Sequence, residues 1–321
     1  MRRRDFVAAA GLAALTPKAG VAQSPIIPVL GIFSLTPTPN RTIFAGLKES
    51  GYVEGGNLAI KFISADSHYE RLPSLAAALV AQRVNVILTQ GGEGPALAAQ
   101  RATKSIPIVF VIGTDPVKLG LVASMNRPGA NVTGVAMLVV SLVSKRVELL
   151  HELRPAAKAL GLLVNPNTVA VETEIADGER VAAATGHTLV VARAARAEEI
   201  ERAFEELSGK AVGALAVSAE PLFTVNRVRI IALAARYGIP AVYSWVEYVE
   251  AGGLMTYGPD LADVYRQGGL YAGRILRGEK PADLPVVQPT KYLLRINLQT
   301  AKALGLAIPP TVLARADEVI E

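Results

Sequence analysis

The segment IPIVF at residues 106–110 recurs, with two changes, as IPAVY at residues 239–243. The same offset of 133 residues aligns the Gly-Leu pair at 120–121 with the Gly-Leu pair at 253–254. Each pentapeptide is a short apolar run, which is typical of a strand buried in a parallel sheet. A repeat at this distance predicts two similar lobes in one chain. A chance match between short apolar segments is the alternative.

Around both copies, short apolar runs alternate with helical patterns. In the first series we predict strands at residues 26–33, 58–64, 84–89 and 106–112, and helices at 40–50, 70–82 and 95–103. In the second series we predict strands at residues 159–164, 188–192, 213–218 and 239–243, and helices at 143–153, 172–185, 197–207 and 224–237. Alternating strands and helices predict a parallel sheet covered by helices. The predicted fold class is therefore α/β, with two doubly wound parallel-sheet lobes.

Candidate ligand positions follow from this topology, because open parallel sheets bind ligands beyond the carboxyl ends of their strands. Most residues at the predicted strand ends are glycines or carry polar side chains. These strand ends are residues 34–36, 89–93, 113–115, 165–167, 218–220 and 243–247.

The N-terminus begins MRRRDFVAAAGLAAL, a basic start followed by an apolar run over residues 6–15. This run is too short for a membrane span, which needs about 20 apolar residues. Small residues precede a predicted cleavage after Ala22. These features predict a signal peptide at residues 1–22 and export to the periplasm. The order RRDF at residues 3–6 resembles a twin-arginine export signal, and a general secretory signal with additional arginines is the alternative.

Charge and composition exclude several kinds of partner. The 321-residue chain has a formal net charge of +5, and removal of the signal peptide takes away four basic residues and one acidic residue, which leaves +2. So small a charge gives no reason to expect a nucleic acid or an anionic membrane as partner. The absence of cysteine excludes disulfides, cysteine-ligated metals and lipid attachment to a leading cysteine. The three histidines, His68, His151 and His187, lack metal-ligand spacing, so no metal or cofactor is expected.

Common catalytic motifs are absent from the sequence. It contains no G-x-S-x-G elbow, no P-loop, no G-x-G-x-x-G after a strand and no H-E-x-x-H. No nucleophile–base pair follows from residue spacing. We therefore expect a protein that is not an enzyme, although a triad assembled in space would leave no such signature.

The loop TQGGEGPAL at residues 89–97 ends one predicted strand and opens a helix. Gly91, Gly92 and Gly94 allow backbone N–H groups to point outward, and a helix N-terminus with free amides suits a carboxylate. Glu93 opposes an anion at this place unless its side chain points away or receives an amine. An ordinary strand-to-helix loop is the alternative.

Two acidic residues precede prolines at strand ends. Asp115, in GTDPV at residues 113–117, is a candidate acceptor for a ligand amine or hydroxyl, and an Asp-Pro turn is the alternative. In SAEPLF at residues 218–223, Ser218 is a candidate donor, and Glu220 is either an acceptor or the start of a helical turn. The two segments are counterparts in the two predicted lobes.

The segment YSWVEYVEAGGLMTYG at residues 243–258 carries four aromatic residues, including Trp245, the only tryptophan. We predict a short helix that ends at the two glycines, followed by a strand that returns to the other lobe. Tyr and Trp offer flat stacking surfaces with polar tips, which suit a ligand cleft. Tyr243 and Trp245 are therefore stacking candidates, with core packing as the alternative, whereas Tyr248 and Tyr257 are expected in cores.

Three segments together resemble one family: IPIVFVIGTDPVKLGLVASMNRPGANVTGV at residues 106–135, the stretch from EYVEAGGLMTYG to GLAIPP at 247–310, and LARADEVIE at 313–321. They are similar to the ABC-transporter substrate-binding family that includes tryptophan-binding members, and the resemblance covers nearly the whole chain after residue 22. It implies a periplasmic-binding-protein fold of the first type, in which two lobes joined by three crossings close over a small ligand.

The resemblance also implies lobe boundaries and ligand contacts. The first lobe takes residues 25–138 plus 252–285, and the second takes 139–251 plus 286–321. Relatives often have a small or hydroxyl residue near Glu93 and an arginine where Val246 stands, so this chain opposes or lacks two contacts to an anion. With Trp245 as the stacking candidate, the implied contacts are Ser34, Thr36, Gln90, Gly91, Gly92, Asp115, Ser218, Glu220, Tyr243, Glu247 and Asp260.

The predicted function is that of a periplasmic receptor for an ABC importer. As a monomer it captures a small polar organic ligand, amino-acid-like or aromatic, and passes it to the membrane permease subunits. Two other classes stay open, namely a sensory protein that presents its ligand to a membrane receptor and an exported α/β enzyme. A cytoplasmic repressor with the same lobe fold is disfavoured, because residues 1–22 have the pattern of an export signal.

Overall fold

The computed structural model describes residues 27–321. The predicted signal peptide therefore lies outside the described residues. Among the helices of this described part, none combines the length and the apolar character that a bilayer crossing requires. Two separate sheets organise residues 27–321.

The first sheet contains five parallel strands in the order β2-β1-β3-β4-β5. The last three of these are buried along their whole length, because helices cover the sheet and parallel strands then have no solvent face. Strand β5 was not predicted, since its five residues include Gly134 and follow a segment rich in turns. The strands are β1 Val29–Ser34, β2 Ala59–Ser64, β3 Val86–Gln90, β4 Ile108–Ile112 and β5 Val132–Ala136, and the helices are α1 Thr42–Glu49, α2 Leu72–Ala81 and α3 Glu93–Ala102.

The second sheet contains seven strands in the order β12-β11-β10-β9-β8-β6-β7. All pairs are parallel except β10 with β11, which is antiparallel. The strands are β6 Ala159–Val164, β7 Thr188–Arg193, β8 Leu215–Val217, β9 Ala241–Tyr243, β10 Met255–Pro259, β11 Tyr292–Asn297 and β12 Glu318–Ile320. The helices are α4 Val143–Leu153, α5 Val171–Ala184, α6 Glu199–Gly209, α7 Pro221–Val225, α8 Arg227–Arg236, α9 Val246–Glu250, α10 Leu261–Leu276, α11 Leu298–Ala303 and α12 Pro310–Leu313.

The two sheets share one strand order. The first runs β2-β1-β3-β4-β5, and the second contains β7-β6-β8-β9-β10 in the corresponding positions. The matching segments at residues 106–110 and 239–243 enter β4 and β9, which occupy equivalent fourth positions. The predicted fold class, α/β with two doubly wound parallel-sheet lobes, is confirmed.

The position of β10 differs from the sequence expectation. The resemblance implies that residues 252–285 belong to the first lobe, yet β10 lies in the second sheet, where Met255 is in register with Val242 of β9 and Ile296 of β11. Met255 is fully buried, and β10 pairs with a strand on each side. The second sheet therefore accommodates both the apolar side chain and the backbone hydrogen bonds of β10. The chain crosses to the first sheet only after Pro259, at the start of α10.

Helix α10 then packs on the first sheet and makes an unusually close contact with helix α1. A Cβ atom added to Gly269 would lie 2.0 Å from the carbonyl oxygen of Ile43, and one added to Gly46 would lie 1.9 Å from the carbonyl oxygen of Arg266. Only glycine allows two backbones to approach this closely. The chain returns along the edge of β5, where Val287 donates its backbone N–H to Gly134, before it enters β11.

Candidate ligand-binding site between the two sheets

A cavity of about 90 Å³ lies between the carboxyl ends of the two sheets. The segment that connects β5 to α4 closes it on one side with Met137, Val139 and Val140. The side of the first sheet contributes Thr36, Tyr69, Gly91, Gly92, Glu93, Gly113, Leu261 and Tyr265. The side of the second sheet contributes Thr168, Ala170, Glu174, Ser218, Ala219, Glu220, Pro221, Thr224 and Trp245.

One hydrogen bond spans this cavity. The hydroxyl of Tyr69, which lies in a 3-10 turn before α2, donates to Oε1 of Glu220 at 2.6 Å. Glu220 precedes α7, and its Oε2 accepts the backbone N–H of Leu222 at 2.6 Å. The same carboxylate therefore caps a helix of one lobe and binds a side chain of the other.

Burial determines the protonation of this pair. Glu220 is 2% exposed. Burial raises the pKa of its carboxyl to about 7, although the bonds from Tyr69 and Leu222 favour the charged form, and the Glu93 carboxylate adds to the rise. Burial and the neighbouring Glu220 carboxylate raise the pKa of the Tyr69 phenol well above its usual value, so Tyr69 is a donor at neutral pH.

A second carboxylate that lines the cavity belongs to Glu174, in the first turn of α5. Its Oε2 accepts the Ser218 hydroxyl at 2.6 Å, and its Oε1 lies 3.6 Å from the fully buried Arg146 guanidinium. Burial raises the pKa of the Glu174 carboxyl, and Arg146 and Ser218 oppose that rise. Ser218 and Arg146 thus orient a carboxylate that burial alone would neutralise.

The third carboxylate belongs to Glu93, the first residue of α3. Gly91 and Gly92, with φ of 80° and 89°, turn the chain from β3 into this helix, in a region that favours glycine. Oε1 of Glu93 accepts the backbone N–H of Gly113 at 3.2 Å. The predicted conflict at this loop is therefore resolved inside the protein, since the carboxylate bonds to the end of the neighbouring strand.

Aromatic rings form much of the remaining wall. Tyr69, Trp245 and Tyr265 all line the cavity, and Trp245 is 4% exposed. Burial raises the pKa of Tyr265 to about 12. Three rings beside three carboxylates form a surface that can accept hydrogen bonds and stack against a flat or cationic group.

Among residues 27–321, none of those that line the cavity is cationic. The residues that line it include no lysine, arginine or histidine. Across residues 27–321, no group of three or more His, Cys, Asp or Glu side chains has a geometry suited to a metal ion. What the described site offers a ligand is therefore carboxylates, hydroxyls, aromatic faces and backbone amides.

The structure brings together half of the residues proposed as ligand contacts from the sequence. Both lobes contribute to this half. The members that line the cavity are Thr36, Gly91, Gly92, Ser218, Glu220 and Trp245.

Ser34 and Gln90 lie behind the cavity wall instead. The Gln90 amide donates to the Ser34 hydroxyl at 2.9 Å and to the carbonyl of Thr38 at 2.9 Å, and it accepts the backbone N–H of Asn40 at 3.0 Å. These bonds fix the loop after β1. The polar groups of both side chains are therefore already hydrogen-bonded within the protein.

The other four proposed contacts lie outside the cavity wall. Asp115 accepts the backbone N–H of Val117 at 2.8 Å, which is the turn alternative, and Asp260 caps α10 by accepting the N–H of Ala262 at 2.9 Å. Tyr243 stacks on Tyr248 in the core, with ring centroids 4.4 Å apart. Glu247 lies on α9, behind the wall.

Sequence reasoning missed Tyr69, Glu174 and Tyr265. All three lie on helices or turns rather than at strand ends, and they reach the cavity only through the folding of α2, α5 and α10 around the sheets. No motif marks them. A search limited to strand ends excludes such residues from the start.

The family model described as ABC transporter substrate binding protein matches residues 39–320. A curated relative, the tyrosine-binding protein of Clostridioides difficile (strain R20291), is 28% identical over 282 residues, which cover 86% of this chain and 81% of the relative.

Two solved structures are informative. The ABC domain from Streptococcus pneumonia in complex with L-Trp has a TM-score of 0.80 at 25% identity, covering 91% of this chain and 99% of that one. The ligand-free, open structure of a substrate-binding protein with adhesive properties from Clostridium difficile has a TM-score of 0.63 at 27% identity, covering 92% and 99%.

Proposed function

Because the chain belongs to the family of ABC transporter substrate-binding proteins, we propose that it is the exported receptor of an ABC importer. It captures a small polar organic ligand between its lobes and passes the ligand to the membrane permease subunits. The signal peptide at residues 1–22 directs it to the periplasm, where it acts as a monomer. The first lobe comprises residues 27–136 with 260–287, and the second comprises 139–259 with 288–321.

The observation that carries the proposal is a cavity walled by both lobes and bridged by the Tyr69–Glu220 hydrogen bond. A receptor that closes on its ligand needs such a site, because neither lobe alone surrounds the ligand. The segments that join the lobes are short, so a change in their backbone dihedrals moves one lobe as a body relative to the other.

The comparison of shapes supports a closed arrangement of these lobes. Identity and coverage are nearly equal for the L-Trp complex and for the ligand-free, open relative, yet the TM-score is 0.80 for the first and 0.63 for the second. Sequence divergence does not account for this difference. A different angle between otherwise similar lobes would produce such a difference.

The cavity chemistry supports a ligand that carries an amino group. Glu93, Glu174 and Glu220 offer acceptors for N–H donors, and Tyr69, Trp245 and Tyr265 offer aromatic faces. Relatives named for tyrosine binding and solved with L-Trp make amino-acid-like or aromatic amines the first class to examine.

The same wall supports binding rather than catalysis. Its hydroxyl–carboxylate contact, Ser218 with Glu174, has no histidine beside it among the lining residues, and a carboxylate alone is a poor base for a serine hydroxyl. The role that we propose is therefore that of a receptor with no catalytic residue.

Two measurements test the proposal. Mass spectrometry of the extract from protein purified under native conditions is expected to identify a small amine-bearing molecule. Solution scattering of the ligand-depleted protein is then expected to give a smaller radius of gyration when that molecule is added. An unchanged radius at a concentration that calorimetry shows to be saturating would contradict closure.

A further inference from the structure

The charges around the cavity are unbalanced. Glu93, Glu174 and Glu220 are all at least nine-tenths buried, and the one ion pair that any of them forms within residues 27–321 is the Glu174 contact with Arg146. If the three carboxylates are ionised, one guanidinium leaves a formal charge of −2 among largely buried side chains. Buried charge of this kind is stable only when a partner or a proton neutralises it.

Glu174 carries an acceptor that the protein leaves unused. Its Oε1 is buried and makes no hydrogen bond, since Arg146 lies 3.6 Å away, beyond hydrogen-bond distance. Its Oε2 already accepts from Ser218. Oε1 itself is closed to water, so a ligand N–H donor reaches it only when the Glu174 side chain shifts toward the cavity that it lines.

The position best suited to a ligand carboxylate lies beside a like charge. Free amides at the N-terminus of α3, next to Gly91 and Gly92, would bind an anion. The buried carboxylate of Glu93 stands in the first turn of that helix. A second carboxylate placed there would meet a like charge in a site of low dielectric, which is strongly unfavourable.

The aromatic rings add a feature that suits cations. Tyr69, Trp245 and Tyr265 border the same space as the three carboxylates. Aromatic faces attract ammonium groups, and a wall of several rings is a recurrent way of binding them. The cavity volume of about 90 Å³ is smaller than the ~150 Å³ of a cavity that takes benzene, so the closed state favours a ligand with few heavy atoms.

We infer that the ligand is a small organic cation with one or two amino groups and no carboxylate. The inference rests on the proposed function, because it concerns the same cavity. It separates this chain from its amino-acid-binding relatives by charge, since the carboxylate of an amino acid has no cationic side chain in the wall to meet it. One amino group binds Glu174 and Ser218, and the space between Glu93 and Glu220 receives a second.

Matched pairs of ligands that differ by one carboxylate test this directly. The pairs are ethanolamine with L-serine, putrescine with L-ornithine, and tyramine with L-tyrosine. Calorimetry uses protein unfolded and refolded to remove any bound molecule. In at least one pair the amine is expected to bind roughly tenfold or more tightly than the amino acid, because the amino acid brings a like charge.

Glutamine variants test whether the preference for the amine arises in the cavity. Glu174→Gln and Glu220→Gln are each expected to weaken the best amine by roughly tenfold or more, because an amide is neutral. Glu172→Gln, an exposed residue on the same helix as Glu174, is the control and is expected to leave affinity unchanged. Glu174→Gln leaves the Arg146 guanidinium without a charged partner, which can prevent folding. In that case Glu220→Gln still tests the inference.

Three results would overturn the inference: tighter binding of the amino acid in every pair that binds, no binding by any of the six probes, or unchanged amine affinity in the folded glutamine variants. None of these results contradicts the proposed function, which has its own test. A co-purified ligand that carries a carboxylate and still lowers the radius of gyration would support the receptor role and exclude a ligand without a carboxylate.

Discussion

Tyr69 and Glu220 join the two lobes through a hydrogen bond of 2.6 Å, and both residues line the cavity that they span. Tyr69 stands before α2 on the first lobe and Glu220 before α7 on the second, 151 positions apart in the chain. The bond crosses from one lobe to the other, so a separation of the lobes at the cavity would break it.

Removal of this donor is expected to weaken closure. Tyr69→Phe keeps the ring but leaves Oε1 of Glu220 without its partner in a buried position. Hydrogen bonds to charged groups contribute about 1.5–3 kcal/mol, so the ligand affinity measured by calorimetry is expected to fall by that amount. Tyr237→Phe, which removes the hydroxyl of a half-buried tyrosine that does not line the cavity, is the control. Equal affinities in both variants would mean that the bond does not stabilise the closed form.

Stability is expected to depend on pH through Glu220. Its carboxyl has a pKa of about 7 in the folded protein against an ordinary 4.5, because burial disfavours its charge, and Tyr69 and Glu93 face it. Between these values the folded state holds a proton that the unfolded state releases, so the free energy of unfolding falls as pH rises from about 4.5 to about 7. The loss is on the order of 3 kcal/mol.

Urea unfolding of ligand-free protein at pH 5 and pH 7.5 measures this contribution. Glu220→Gln cannot titrate, so its free energy of unfolding is expected to decline less between the two pH values than that of the wild type. Glu172→Gln is expected to follow the wild type. The same decline in the wild type and in Glu220→Gln would assign the pH dependence to other groups.

Trp245 is expected to report ligand binding, because it is the only tryptophan and lines the cavity at 4% exposure. Opening of the lobes admits water to the indole, so titration of depleted protein is expected to change emission and to saturate at the affinity found by calorimetry. Trp245→Ala is expected to weaken binding by about 1–3 kcal/mol, and Trp245→Phe by less. A flat titration with a ligand that binds would place the indole away from the ligand.

Gly269→Ala is expected to destabilise the first lobe. The added methyl group would lie 2.0 Å from the carbonyl oxygen of Ile43, which forces α10 away from α1. Overpacking costs about 1–3 kcal/mol, and urea unfolding measures the loss. Gly209→Ala is the matched control, because a Cβ atom there meets no atom within 4 Å and alanine favours the helix. A stable Gly269→Ala protein would show that the two helices separate at little cost.

Three features follow from the sequence alone: the α/β alternation, the two similar lobes and the edge of the sheets where the cavity lies. Apolar runs, helical patterns and strand ends are local properties, and parallel topology then fixes which edge carries the loops. Thr36, Gly91, Gly92, Ser218, Glu220 and Trp245 were found in this way because each lies at or near a strand end.

Which side chains meet, and which bonds each of them forms, depends on the tertiary structure. Tyr69, Glu174 and Tyr265 reach the cavity from helices and turns, whereas Gln90 and Asp115 use their polar atoms on their own loops. The sheet that β10 joins depends on its neighbours, β9 and β11, rather than on its own five residues. Contacts between the two lobes depend on how the lobes pack against each other. No local sequence pattern in either lobe encodes the distance between residues on opposite sides of the cavity.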